Sequence, residues 1–101
     1  MPALLIINYD VTDPERLETY RGPAVAALIG PDKGSPTALT HDTIDLGEGN
    51  GAGTTTVILE YPSTEAAHAA FYSDEYQAVV GERVAATNPR FSVIVPTLDK
   101  D

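Results

Sequence analysis

The run TTTVILEYPSTEAAHAAFYSDEYQAVVGERVAATNPRFSVIVP, residues 54–96, holds a strand, an interrupted helix and a second strand in succession. Thr54 to Tyr61 is dense in β-branched and aromatic residues and reads as a strand. Pro62-Ser63-Thr64-Glu65 then supplies an N-cap hydroxyl and an early glutamate, the signature of a helix start. That helix runs through Ala66, Ala67, Ala70 and Phe71. Ser73-Asp74-Glu75 looks like a second cap, after which Tyr76, Val79, Val80, Val84 and Ala86 form one apolar helical stripe. Asn88-Pro89 is expected to stop it, Phe91 to Val95 to form the last strand, and Pro96 onward to be a tail.

The first half repeats this grammar. Ala3 to Val11 reads as a strand with Leu5, Ile7, Tyr9 and Val11 on one face and Leu4, Ile6, Asn8 and Asp10 on the other. Thr12-Asp13-Pro14-Glu15 starts a helix, and Leu17, Tyr20, Ala24 and Leu28 give it an apolar stripe. Gly22-Pro23 interrupts the pattern, so two helical segments meeting near Gly22 are expected, closed by Gly30-Pro31. Thr37 to Leu46 reads as a strand broken near Asp42, and residues 47–53 as a flexible hairpin loop. The order β-α-β-β-α-β predicts an α+β domain of the ferredoxin-like type, a four-stranded antiparallel sheet with two helices on one face. It is expected to fill residues 1–97 as a single domain, with a polar tail over 98–101.

Such a sheet has a second face, read here as Leu4, Ile6, Asn8, Thr56, Ile58, Glu60, Ser92 and Ile94. A surface that apolar should not stay in water. Two sheets packed across a two-fold axis, leaving a small polar-lined cavity, are the expected solution, and hence a homodimer. A chain of 101 residues builds only one modest core, which favours the same outcome. Six basic against fifteen acidic residues give a net charge of -9, which repels phosphate backbones and anionic lipid and argues against nucleic-acid or membrane partners. Without cysteine there is neither a disulfide framework nor a thiolate metal site. The apolar start is too short for a membrane span and lacks the basic residues of a signal peptide, so a cytoplasmic location is expected.

Glu60-Tyr61-Pro62-Ser63, Glu65-Ala66-Ala67, Phe71-Tyr72-Ser73, Glu75-Tyr76-Gln77 and Arg83 before Ala85-Ala86 resemble the domain-of-unknown-function family 1330, of the dimeric α/β-barrel superfamily. Asp13-Pro14-Glu15 and Tyr20-Arg21 extend the resemblance over nearly the whole chain. Where that family usually shows a glycine-rich turn and an arginine on the second strand, this chain has Lys33-Gly34-Ser35-Pro36 and Thr40-His41. The resemblance implies the fold and dimerisation. The family has no settled activity, and the superfamily includes cofactor-free monooxygenases, isomerases and haem enzymes, so fold analogy does not choose a reaction. No cofactor is expected.

The candidate chemistry lies in a few side chains. Arg83, seven residues after Tyr76 on the same helical face, can clamp a carboxylate or enolate with its planar fork, or pair with Glu60 or another of the chain's acids. Tyr20 and Tyr72 carry hydroxyls able to hold or protonate a ligand oxygen, although aromatic residues at helical spacing are more often core. His41 is a candidate general base, imidazole being the side chain whose ordinary titration spans neutral pH. A metal site at His41, Asp42 and Asp45 is disfavoured, because strand alternation sends His41 and Asp42 to opposite faces. His68 reads as a solvated helix residue. The glycine-rich loop leads into a strand and lacks the lysine of a phosphate loop. The expected site therefore lies between sheet and helices, with His41, Tyr72 and Arg83 as catalytic candidates and Asn8, Tyr20, Tyr76 and Arg83 as ligand contacts. It would take a small acidic or aromatic molecule, with a purely structural network of the same groups as the alternative.

Overall fold

A computed structural model describes residues 1–98, so the expected tail lies outside the described residues except for Leu98, which is exposed. The elements run β1 (Ala3–Val11), α1 (Pro14–Leu28), β2 (Ser35–Thr40), β3 (Thr55–Tyr61), α2 (Thr64–Phe71), α3 (Asp74–Gln77), α4 (Val80–Ala86) and β4 (Thr87–Pro96). The four strands form one antiparallel sheet in the order β2-β3-β1-β4. This is the ferredoxin-like α+β arrangement.

Alternation in β1 builds the core. Leu5, Ile7 and Tyr9 are buried beneath the helices with Leu59 and Tyr61 of β3. Leu17, Tyr20, Ala24, Ala27 and Leu28 of α1 close over them. Alanines on α2 let it approach the sheet closely, with Ala67 fully buried. Three of the four helix starts have a side-chain cap: Asp13, Ser63 and Ser73 accept from the backbone N–H three residues on, while α4 starts at Val79 without one. The end of α1 is equally settled, since the Leu28 carbonyl accepts from Gly34 N at 2.9 Å and from the Tyr61 hydroxyl at 2.7 Å.

Four local expectations need correction. The helix α1 is continuous through Gly22-Pro23. Arg21, Gly22 and Pro23 all face solvent, so the proline sacrifices one hydrogen bond on the outer side while the buried stripe from Leu17 to Leu28 holds the two halves in line. The second strand ends at Thr40 instead of reaching Leu46, and residues 41–54 form an irregular connection in which Gly47, Gly49 and Gly51 take positive φ. The expected stripe from Tyr76 to Ala86 is split into α3 and α4 by a tight turn at Ala78-Val79, where Val79 N donates to the Tyr76 carbonyl. That turn resets the phase, so Arg83 is buried and Val84 is exposed.

The fourth correction concerns the open sheet face. β4 begins at Thr87, before Asn88-Pro89, and the register shifts where Asn8 and Tyr9 of β1 oppose Phe91 and Pro89, leaving Arg90 as an extra residue. Ile94 and Ser92 stand opposite Leu5 and Ile7, on the helix side; Phe91, Val93 and Val95 stand opposite Asn8, Ile6 and Leu4, on the open side. The open face is thus more apolar than sequence alternation predicts. Both edge strands carry a proline beside a register shift, Pro36 in β2 and Pro89 in β4. This blunts edge-to-edge pairing.

Candidate functional site

Between α1 and the helix side of the sheet lies a cleft of about 230 Å³. Its floor and walls are apolar, with Ile7, Val57 and Leu59 from the sheet, Val25 and Leu28 from α1, and Leu39 from β2. Register explains the placement. An extra residue at Thr37 separates the pairs Pro36–Leu59 and Ala38–Ile58, which leaves Leu39 opposite Val57 and turned to the helix side. The same phase carries His41 to the mouth of the cleft, where its Nδ1 lies 3.0 Å from Thr55 Oγ1.

Polar groups enter from Tyr9, Tyr20, Arg21 and His41. The chain is rich in acidic residues, yet among the described residues none lines the cleft. The Tyr20 hydroxyl lies 2.7 Å from that of Tyr76, whose ring is wholly buried and stands edge-on to Tyr20. Burial pushes the Tyr20 phenol well above its ordinary range, and the neighbouring Tyr76 adds to the rise. It is a protonated hydroxyl at any physiological pH. Burial also raises the Tyr9 phenol, against an opposing pull from Arg83 and Arg21.

Arg83 stands behind this end of the cleft. Only 4 % of it is exposed, its guanidinium carbon is 5.9 Å from the centre of the Tyr9 ring, and its buried Nε has no hydrogen-bond partner. The described ion pairs are Arg16–Glu82, Arg21–Glu18 and Arg90–Asp10. Among the described residues Arg83 therefore has no carboxylate partner, and the expected alternative of a Glu60 pair does not form: Glu60 sits opposite Leu4 on the open face, across the sheet. A buried cation without an acceptor is costly, which makes this guanidinium the least satisfied group in the fold.

The structure brings together some of the residues singled out in the sequence. Tyr20 and His41 line one cleft, with Tyr76 bonded to Tyr20 and Arg83 against Tyr9. Tyr72 stands apart, 60 % exposed and packed on His68 and Phe71. Asn8 is buried on the opposite side of the sheet, where its carboxamide is engaged by Gly53, Thr55 and Thr56. Sequence reasoning missed Tyr9 and Arg21 as site residues. Tyr9 was indistinguishable from its core neighbours Leu5 and Ile7, and the one available signal was alternation, which put it on the helix side. Among the described residues no group of three His, Cys, Asp or Glu side chains is placed to hold a metal ion, and no helix is long and apolar enough to cross a membrane.

No curated protein matches the chain. A family model described as "Domain of unknown function (DUF1330)" matches residues 2–98. With that match spanning all the elements of the fold, the chain belongs to the DUF1330 family.

Proposed function

We propose that this protein is a cytoplasmic homodimer, joined through its open sheet faces, in which each protomer binds a small acidic or aromatic molecule in the cleft beneath α1. The observation that carries the reading is the cleft itself: an apolar slot with a few convergent polar groups at one end, the usual build of a small-ligand site. At about 230 Å³ it falls below the roughly 300–1,000 Å³ typical of drug-sized ligands, which suits a single ring or a short chain. In this reading His41 at the mouth accepts a proton from such a ligand, and Tyr20 within the cleft donates a hydrogen bond to it. That is the basis for cofactor-free acid–base chemistry of the monooxygenase or isomerase kind.

A second reading, a non-catalytic binding or structural dimer, is favoured by the Tyr20–Tyr76 contact, in which each hydroxyl supplies the other's partner. Calorimetric titration with a panel of small aromatic and aliphatic acids separates the two. The ligand reading expects saturation at one molecule per protomer, abolished by Val25→Trp, which fills the cleft from a half-exposed position without disturbing the core. Absence of any saturable heat across the panel would leave only the structural reading.

A further inference from the structure

Behind the polar end of the cleft one buried group lacks an acceptor, and beside it a buried pair of hydroxyls can turn one hydrogen toward the cleft. Arg83 is a cation with its Nε sealed from water and unpartnered. Tyr76 is fully buried, and its hydroxyl has Tyr20 as its hydrogen-bond partner among the described residues. When Tyr76 donates its proton to the Tyr20 oxygen, the Tyr20 hydroxyl hydrogen is released toward the cleft, where an acceptor is wanted. Arg21 stands on the same wall, and its only described partner is the exposed Glu18, one turn earlier on α1. The chain carries a net charge of -9, yet among the described residues no acid lines this cleft. A low-dielectric slot with cationic groups at one end concentrates anions against the protein's overall charge.

Resting on the ligand reading above, we infer that the cleft selects a small organic monoanion, a carboxylate on an apolar or aromatic body. The carboxylate lies at the Tyr9–Tyr20–Arg21 end, accepts from the Tyr20 hydroxyl, pairs with Arg21 in the wall, and supplies a through-space counter-charge to Arg83 behind the Tyr9 ring. The hydrocarbon body lies along Ile7, Val57, Leu59 and Leu39. A phosphate monoester fits poorly, since its strongly hydrated dianion would have to enter a slot lined mainly by aliphatic side chains. A cation would face Arg21 in the cleft wall, with Arg83 behind it at the Tyr9 ring.

The test uses charge-matched probes of one shape: benzoate, benzamide and benzylammonium, titrated into the wild-type protein by calorimetry and by thermal shift. Benzoate is expected to bind at least roughly tenfold more tightly than benzamide, with benzylammonium weaker still. Its advantage should shrink in Tyr20→Phe and disappear in Arg83→Met. Arg83→Met should leave the ligand-free melting temperature unchanged or higher, because a charge with no partner is being removed from the interior. Arg21→Met, at an exposed position in the cleft wall, should weaken benzoate while leaving benzamide unchanged. Equal binding of benzoate and benzamide would overturn the charge selectivity while leaving the cleft as a ligand site. Binding of none of the three, in a protein that Val25→Trp leaves calorimetrically unchanged, would overturn both. A large melting drop in Arg83→Met would show that the guanidinium is already satisfied within the fold, and would also count against the inference.

Discussion

Single side chains show how this acidic protein uses its few cations. Asp10, at the end of β1, accepts from Arg90 Nε and Nη2 at 3.1 and 2.9 Å and from Thr54 N at 3.0 Å. The Arg90 hydrogen bonds above all, and then the Thr54 amide, hold its carboxyl below the ordinary value of 3.8. Asp45 is lowered likewise by the amides of Gly47 and Ala52, and Glu82 by Arg16. A carboxylate with a depressed folded value stabilises the protein above its unfolded value, and that contribution is lost as pH falls through the folded one. The melting temperature should therefore decline as pH drops below about 4. Asp10→Asn should melt lower at neutral pH and show a shallower acid-side decline, the two curves converging toward pH 2. Circular dichroism melts across the pH range check this, and parallel curves for the two proteins would contradict it.

At the scale of elements, the loop joining β2 to β3 is fastened at its return by Asn8. Its Nδ2 donates to the carbonyls of Gly53 and Thr55 and to Thr56 Oγ1, and its Oδ1 accepts from Gly53 N. Gly53 is required there, because a Cβ would collide with the Tyr9 carbonyl group and the Asp10 amide nitrogen. Asn8→Ala is expected to cost about 1–3 kcal/mol, the penalty for leaving buried backbone groups unpartnered, and to loosen the His41 end of β2; denaturant melts and amide exchange at Gly53 measure the two effects. This clamp marks the boundary of what the sequence discloses. The bounds of β1 and all three side-chain caps are local matters, and they are legible. The phase of β4 was not, because the extra residue at Arg90 is set by pairing with β1 and leaves no local signal. The continuity of α1 through Pro23 was hidden for a related reason: only the tertiary packing of Leu17, Tyr20, Ala24 and Leu28 decides it. The site was half legible. Tyr20 and His41 were named, but the register that carries His41 to the mouth of the cleft depends on the shift at Thr37.

For the whole molecule, the corrected open face sets the expected assembly. Phe91, Val93 and Val95 are each about 40 % exposed, and they adjoin Leu4, Ile6 and Ile58 across the strands. With both sheet edges interrupted by proline, face-to-face packing is the remaining way to cover this surface. The proposed dimer predicts twice the chain mass for the wild type by light scattering at micromolar concentration, and monomers or aggregates for Ile58→Lys. A net charge of -9 on each protomer opposes association, so the dimer should tighten as salt is added. The proposed ligand takes the helix side, and the two sides give opposite answers to one measurement. Benzoate titrated into isotopically labelled protein, followed by amide and methyl chemical shifts, should produce saturable changes at Ile7, Tyr9, Val25, Leu39 and Val57. Changes confined to Leu4, Ile58, Phe91 and Val93, or none that saturate, would contradict the placement of the site beneath α1.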